Sequence, residues 1–370
     1  MMLAPSDIRG TLLVGVISVV LFITAMGALV LLGHDVGADF YAERMAEIHA
    51  GKNAAPESGD GIAGFDASGP QPGEVPVLCY HYLRGRNSPL RIARVFAYVV
   101  LSLPVVGDNE IWTVTRSAFE SQMRYLHDHG YQTITLDELT AWQEGRTRLP
   151  SRPVVITFDD GDRSVYRYAW PVLQRYGMRA TLFIVTGQVG HKWAGLHMLH
   201  WYELREMTDS GAFDIESHTH NLHYKITTRM GTAPVCLAAQ HGWTRIAHNP
   251  LWRDAVARDL TESRRLIRRH IGSESRYLAW PYGLGSAGLD SVAAQVGLIR
   301  GAEMMGGSNE LFPPVAGNAD STDAGARVPS RDPLRDSLHG RAEINRYAVT
   351  AHTSLRDFGR MLRGEYDPAP

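Results

Sequence analysis

The stretch Val-Val-Ile-Thr-Phe-Asp-Asp-Gly at residues 154–161 decides the fold class. Its first five residues form a β-rich apolar run of strand length, which Pro153 and Gly161 bound. A strand that is apolar on both faces is typical of a parallel sheet covered by helices. The run ends on Asp159 and Asp160, and residues just past the end of a parallel strand are frequent catalytic positions.

The same pattern of an apolar run followed by polar residues recurs along the chain. The further predicted strands are residues 75–80, 180–185, 213–216 and 277–280. Helices are predicted between them, including one around Leu173 that Gly177 ends and one at residues 258–271. Between Ser117 and Leu139 the apolar spacing predicts a helix, a strand and a second helix, with a capping box formed by Ser117 and Glu120. This alternation predicts an α/β fold of barrel type.

Composition excludes some classes of function. The formal net charge is −2 and 44% of the residues are hydrophobic, which is typical of a globular protein. The basic residues are scattered, so nucleic acid is not an expected partner. The two cysteines, Cys79 and Cys236, lie far apart, which predicts no disulfide framework, and we expect Cys79 to be a buried free thiol.

The N-terminal part of the chain predicts export. Residues 11–33 are apolar and uncharged, long enough to cross a bilayer as one transmembrane helix. Arg9 precedes this run, which places residues 1–10 in the cytoplasm and the rest outside, in the periplasm or at the cell surface. A cleaved signal peptide is the alternative. Residues 34–73 are rich in Gly, Pro, Ser and Ala, which indicates a flexible tether, and residues 74–370 are predicted to form the folded domain.

Polar residues that follow four predicted strands are candidates for chemistry. They are the pair Asp159 and Asp160, the histidines His218 and His223, the turn at residues 281–283 and His81. One carboxylate and two imidazoles would bind a divalent ion and leave a position open for water or substrate, while the second carboxylate acts as a base. The histidines are five residues apart, so they need a loop to converge, and His220 between them could replace either one.

Three motifs in the same order resemble those of the polysaccharide deacetylases, the NodB-homology or carbohydrate esterase family four. They are residues 157–161 (TFDDG), 217–223 (SHTHNLH) and 280–283 (WPYG). The resemblance extends over about residues 75–362. The histidine spacing, the opening Tyr80-His81 and residues 119–123 (FESQM) resemble the branch that de-N-acetylates poly-β-1,6-N-acetylglucosamine of biofilm matrices.

The resemblance implies a distorted (β/α) barrel, here preceded by one N-terminal transmembrane helix, and a metal-dependent hydrolysis that releases acetate. It implies one divalent metal ion (zinc, cobalt, nickel or iron) and assigns a role to several residues: metal ligands Asp160, His218 and His223, general base Asp159, backbone oxyanion donor Tyr282, and His81 as a further candidate in the site. We expect Trp280 and Pro281 to line the substrate groove.

The chain also departs from the family pattern. Many members place an arginine shortly before the Pro-x-Gly turn, where it holds the base, but residues 278–280 are Leu-Ala-Trp and Arg276 lies further back. The histidine that protonates the leaving amine is not assigned; the candidates are His339 and His352. Residues 84–112 and 223–252 are predicted insertions, and residues 302–333 are predicted long loops.

The expected substrate is an N-acetylglucosamine polymer, with the membrane and exopolysaccharide synthesis machinery as further candidate partners. A peptidoglycan or chitin-oligomer deacetylase is the alternative with the same chemistry. A catalytically inactive carbohydrate-binding module is the alternative of a different class, and it predicts the loss of a metal ligand or of the base. This chain keeps all four residues, Asp159, Asp160, His218 and His223.

Overall fold

The strand predicted at residues 154–158 lies in a nine-stranded parallel sheet, in a computed structural model that describes residues 73–85, 111–228, 231–236, 252–304, 309–310 and 343–366. The strands in chain order are β1 (Val77–Tyr80), β2 (Gln132–Thr133), β3 (Pro153–Phe158), β4 (Ala180–Ile184), β5 (Phe213–Ser217), β6 (Tyr277–Ala279), β7 (Arg300–Glu303), β8 (Glu343–Asn345) and β9 (Tyr347–Ala348).

The sheet closes on itself through one short segment of chain. Its order is β8-β7-β6-β5-β4-β3-β1-β9, with β2 paired to β3, so β8 and β9 stand at opposite ends of the order. Only Arg346 separates these two strands in the sequence. Ile344 pairs with Ala302 on one side and Tyr347 pairs with Leu78 on the other, so residues 343–348 join both edges. The α/β prediction is confirmed, and the sheet is a distorted parallel barrel.

Seven helices and several short elements surround the barrel in the described part of the chain. The helices are α1 (Arg116–Asp128), α2 (Leu136–Gln143), α3 (Trp170–Arg175), α4 (Trp201–Asp209), α5 (Trp252–Ile271), α6 (Ala287–Gln295) and α7 (Leu355–Leu362). A π-helical turn at Val165–Ala169 precedes α3, and 3-10 turns lie at Thr186–Gln188 and Pro281–Gly283. The minor strand pairs are Glu74–Val75 with Asn309–Glu310, Tyr82–Arg84 with Thr113–Thr115, Lys192–Trp193 with Leu196–His197, and Lys225–Thr228 with Gly231–Pro234.

Side chains alternate between the inside and the outside of the barrel. Val154, Ile156 and Phe158 of β3 belong to the core that packs against the outer helices. Val155, between them, belongs to a second core with residues of the other strands: Val77, Phe183, Tyr277, Ala302 and Ile344. Because successive residues of a strand point to opposite faces, Asp159 continues the inward series of residues 155 and 157.

The structure corrects the predicted helix start and capping box, and some predicted segments lie outside the described residues. The helix predicted near Ser117 begins one residue earlier, and Thr115 caps it by accepting a bond from the Ala118 N–H. The capping box lies instead at α2, formed by Thr135 and Glu138. Among the described residues, no helix is long and apolar enough to cross a membrane. The predicted anchor at 11–33, nearly all of the tether and most of the 84–112 insertion lie outside the described residues.

Candidate active site

The two adjacent aspartates leave β3 through a tight turn that separates their side chains. Asp160 has φ 72° and Gly161 has φ 86°, both in the left-handed region. A Cβ on Gly161 would lie 3.2 Å from Ile184 Cγ2, so this turn requires glycine. Both carboxylates are buried, at 1% exposure for Asp159 and 3% for Asp160. The left-handed turn sends Asp160 toward the loop after β5, while Asp159 stays with the barrel interior.

Asp160 meets the two predicted histidine ligands. Its Oδ1 lies 3.4 Å from His218 Nε2 and 3.2 Å from His223 Nε2. This oxygen is buried and has no hydrogen-bond partner among the described residues. Tetrahedral ligands bound at ~2.0–2.1 Å lie about 3.3 Å from one another. Asp160 Oδ1 has this spacing from the Nε2 atom of each histidine, and all three atoms lie within 4.8 Å of one another. The residues therefore fit a divalent metal, and the predicted set Asp160, His218 and His223 is brought together.

Two neighbours orient this set. His218 Nδ1 lies 2.7 Å from the carbonyl oxygen of Ala279. A carbonyl only accepts, so Nδ1 carries the proton and Nε2 presents its lone pair to the site. Tyr82 donates its hydroxyl to Asp160 Oδ2. Burial alone would raise the pKa of Asp160, but the two imidazoles in their protonated form hold that pKa well below its usual value.

Asp159 is held by an arginine that the sequence reasoning missed. Arg346 Nη1 donates to Asp159 Oδ1 at 2.7 Å and Nη2 donates to Oδ2 at 2.8 Å, a bidentate pair. Arg346 is fully buried, and its guanidinium also lies 5.3 Å from the centre of the Phe183 ring. Burial would raise the pKa of Asp159, but the charge and hydrogen bonds of Arg346 lower it, which keeps the carboxylate ionised.

Arg346 contacts Asp159 as expected of the arginine that many family members place before the Pro-x-Gly turn. Arg276 instead pairs with Asp137 on the surface, at 2.9 Å. The signal that could have found Arg346 is weak. It is a single arginine at an inward position two residues after Ile344, in a short apolar run that follows a long loop-rich stretch.

His81 and Cys79 lie beside Asp159. The Cys79 thiol is 3.5 Å from Asp159 Oδ2 and 4.0 Å from His81 Nδ1. His81 stacks on Trp112 with ring centres 4.6 Å apart, and burial lowers its pKa. His81 therefore lies in the candidate site, as predicted. Cys79 is a buried free thiol, also as predicted, and burial raises its pKa well above the usual value.

The turn at residues 281–283 brings Tyr282 next to the candidate metal ligands. Its ring centre lies 4.6 Å from that of His223. Tyr282 has φ 63°, and a Cβ on the following Gly283 would lie 2.6 Å from Met304 Cβ, so the turn admits only glycine there. Lys225 Nζ lies 4.5 Å from the centre of the Tyr282 ring. The oxyanion role of the Tyr282 N–H stays a prediction.

The groove-lining prediction for Trp280 and Pro281 is wrong. Trp280 is fully buried and packs in a core with residues of α5 and α6, and its Nε1–H donates to Asp290 Oδ1 at 2.7 Å. Pro281 is buried as well. A buried indole has no face on which a sugar ring can stack. The hydrogen bond from Trp280 Nε1 to Asp290 explains how an indole is accommodated at this buried position.

The remaining histidine candidates lie elsewhere. His220 does not join the metal-binding set; its Nδ1 lies 3.1 Å from Thr186 Oγ1. His352 is exposed and follows β9 in the sequence. His339 lies outside the described residues. The group that protonates the leaving amine stays unassigned.

Comparison with known proteins gives the same family as the motifs. Residues 146–300 match the family model described as polysaccharide deacetylase. The poly-β-1,6-N-acetyl-D-glucosamine N-deacetylase of Staphylococcus aureus is 30% identical over 208 residues, which are 56% of this chain and 64% of the relative. The corresponding Staphylococcus epidermidis protein is 32% identical over 48% of this chain and 57% of its own length. The chain thus aligns with less than two thirds of these relatives.

Solved structures give a matching fold. IcaB from Ammonifex degensii is 25% identical with a TM-score of 0.56, over 80% of this chain and 99% of that one. The deacetylase domain of BpsB from Bordetella bronchiseptica is 25% identical with a TM-score of 0.51, over 75% of this chain and 97% of that one. The barrel described above is therefore of the deacetylase type, and the resemblance seen in the three motifs is confirmed.

Proposed function

We propose that this chain, whose residues 146–300 match the polysaccharide deacetylase family model, removes N-acetyl groups from an N-acetylglucosamine polymer by metal-dependent hydrolysis, releasing acetate. The observation that carries the proposal is the separation of the two adjacent aspartates. Asp160 lies against two imidazoles with an unpartnered buried oxygen, whereas Asp159 lies against Arg346. One carboxylate is thus suited to an ion and the other to proton transfer.

The chain's own residues supply positioning and proton transfer. A divalent ion held by Asp160, His218 and His223 would polarise the acetamide carbonyl and make water more acidic. Asp159, kept ionised by Arg346, accepts a proton from the attacking water. The Tyr282 N–H donates to the oxygen on which negative charge develops. The C–N bond then breaks, the acetyl group leaves with the water oxygen as acetate, and the amine nitrogen takes up one proton, which balances the one that Asp159 accepted from water.

The relatives support poly-β-1,6-N-acetylglucosamine as the polymer, because the curated matches carry that substrate in their names. A peptidoglycan or chitin-oligomer deacetylase would use the same residues. An inactive carbohydrate-binding module would have no need of an ionised, arginine-held Asp159 beside the histidine pair, and its retention favours an enzyme.

Acetate release tests the proposal directly. The full chain is stripped with a chelator, reloaded separately with zinc, cobalt, nickel or iron, and incubated with poly-β-1,6-N-acetylglucosamine, peptidoglycan fragments and chitin oligomers. We expect acetate from the first polymer, loss of release with chelator and recovery with metal. A protein that binds no divalent ion and releases acetate from none of the three polymers would support the binding-module alternative.

We also propose that residues 11–33 anchor the protein in a membrane with the barrel outside the cytoplasm, near the exopolysaccharide synthesis machinery. The support is the apolar run and the arginine that precedes it. Fractionation of cells that express the full chain, or the chain without residues 1–33, tests this. Recovery of both forms in the soluble fraction would contradict it.

A further inference from the structure

The two histidines of the metal-binding set are held in different ways. His218 is fixed by its own side chain, through the bond from Nδ1 to the Ala279 carbonyl oxygen. His223 Nδ1 is buried and has no hydrogen-bond partner among the described residues. Rings pack around His223, with Trp193 at 4.9 Å and Tyr282 at 4.6 Å between ring centres. The position of His223 therefore depends on the loop that carries it.

That loop is clamped at its midpoint by a carboxylate from α5. The backbone N–H groups of His220 and Asn221 donate to Asp259 Oδ1 and Oδ2, both at 2.8 Å. On the other side, the carbonyl oxygens of Thr219 and His220 accept from the N–H groups of Thr186 and Gly187, at 3.2 and 3.0 Å. The loop between the two histidines is thus fixed from both sides.

The hydrogen bonds to this loop also hold a strained backbone conformation in place. Thr219 has φ 72°, a conformation that a β-branched residue adopts only when its surroundings hold it there. Ser263 lies one helical turn beyond Asp259, and its hydroxyl is 2.8 Å from that of Ser217. The Ser217 hydroxyl oxygen in turn accepts from the Thr219 N–H at 3.2 Å. Asp259 and Ser263 are four residues apart and so share one face of α5.

We propose that Asp259 is a positioning residue for the metal site: it sets the affinity for the divalent ion by holding the loop that presents His223, without contacting the ion. The inference rests on the proposed metal-dependent function. It predicts that loss of the carboxylate affects binding through His223 and leaves the part of the site formed by Asp160 and His218 unchanged.

The test compares Asp259→Asn with Asp254→Asn, which changes an exposed carboxylate of the same helix. Affinity of the metal-stripped full chain for Zn²⁺ is measured by competition with a chromophoric chelator, and site geometry by the absorption of the Co²⁺-loaded protein. We expect Asp259→Asn to lower affinity about 10- to 100-fold, the range for groups that orient metal ligands, and to alter the Co²⁺ spectrum. Asp254→Asn should match the wild type in both.

A double-mutant cycle separates positioning from a general structural role. In a His223→Ala background, where Asp160 and His218 alone provide residual binding, Asp259→Asn should cause no further loss of Zn²⁺ affinity. An equal loss in both backgrounds, or wild-type affinity in Asp259→Asn, would overturn the proposal. If Asp259→Asn does not fold, Asp259→Glu takes its place in the same cycle. A wild-type chain that binds no ion would refute the proposed metal-dependent function itself.

Discussion

Arg346 binds both carboxylate oxygens of Asp159, at 2.7 and 2.8 Å, and the two side chains are shielded from water, with 0% and 1% of their surface exposed. A charge pair in such a place is costly to break, because the partner that remains is a buried, uncompensated ion. This relationship leads to the first prediction.

Arg346→Met and Asp159→Asn should each lower the free energy of unfolding, by about 3–5 kcal/mol for the arginine change, while the double variant loses less than the sum of the two. Urea unfolding measures this. Asp159→Asn should also reduce acetate release by roughly 10²–10⁴-fold, since it removes the base. The exposed pair Arg265 and Glu262 supplies the control, and Arg265→Met should leave stability unchanged. Additive losses in the cycle would contradict the ion pair.

Tyr82→Phe should weaken metal binding by about 10- to 100-fold, because it removes the hydroxyl that orients Asp160. Chelator competition on the metal-stripped protein measures the affinity. Tyr80→Phe is the matched control: it removes a buried hydroxyl nearby in the sequence, which donates to Gln122 at 3.0 Å and not to a metal ligand. Both variants lose a hydrogen bond, but only Tyr82→Phe should change affinity. Equal metal affinities for the two would refute this role.

Trp280→Phe should lower the free energy of unfolding by about 1 kcal/mol, since it removes the hydrogen bond from the buried indole to the partly buried carboxylate of Asp290. The KM for polymer should stay at the wild-type value because the indole has no exposed face. Thermal unfolding and acetate-release kinetics check the two statements. A raised KM with unchanged stability would restore the original prediction that Trp280 lines the groove.

Glu216→Gln should change how stability depends on pH. Burial raises the pKa of Glu216 to about 8 from a usual value of 4.5, although Ser275 and two backbone N–H groups donate to it. The folded state thus binds more protons than the unfolded state between these values, so this contribution is complete below pH 4.5 and disappears as pH rises toward 8.

The wild type should therefore lose on the order of 3 kcal/mol of unfolding free energy from this group between pH 5 and 8. Glu216→Gln, whose amide oxygen can still accept the three bonds, should lose less. Urea unfolding at pH 5, 6.5 and 8 measures both curves, with Asp128→Asn, an exposed site, as control. Parallel curves for the wild type and Glu216→Gln would contradict the raised pKa.

The sequence was sufficient for the elements and residues that local patterns encode. The β3 run, the strand-end position of Asp159 and Asp160, and the five-residue spacing of His218 and His223 all lie in short segments with strong periodicity or motif character. Their convergence follows from parallel strands, whose carboxyl ends meet at one edge.

Contacts between distant segments could not be read in the same way. Arg346 reaches Asp159 across 187 residues of sequence, and no local pattern links them. The sequence predicts Trp280 in a groove because sugar rings stack on exposed indoles, but the burial of Trp280 depends on how α5 and α6 pack against β6. Asp259 occupies an ordinary helical position, and only the fold brings it to the histidine loop.

The single residue between β8 and β9 links the closure of the barrel to the candidate active site. When residues 343–348 dock between β7 and β1, the same event completes the barrel and delivers the guanidinium to Asp159. Until then the sheet has two unpaired edges and the base lacks its counter-charge. The segment that completes the barrel is therefore also the one that supplies the counter-charge of Asp159, the proposed base.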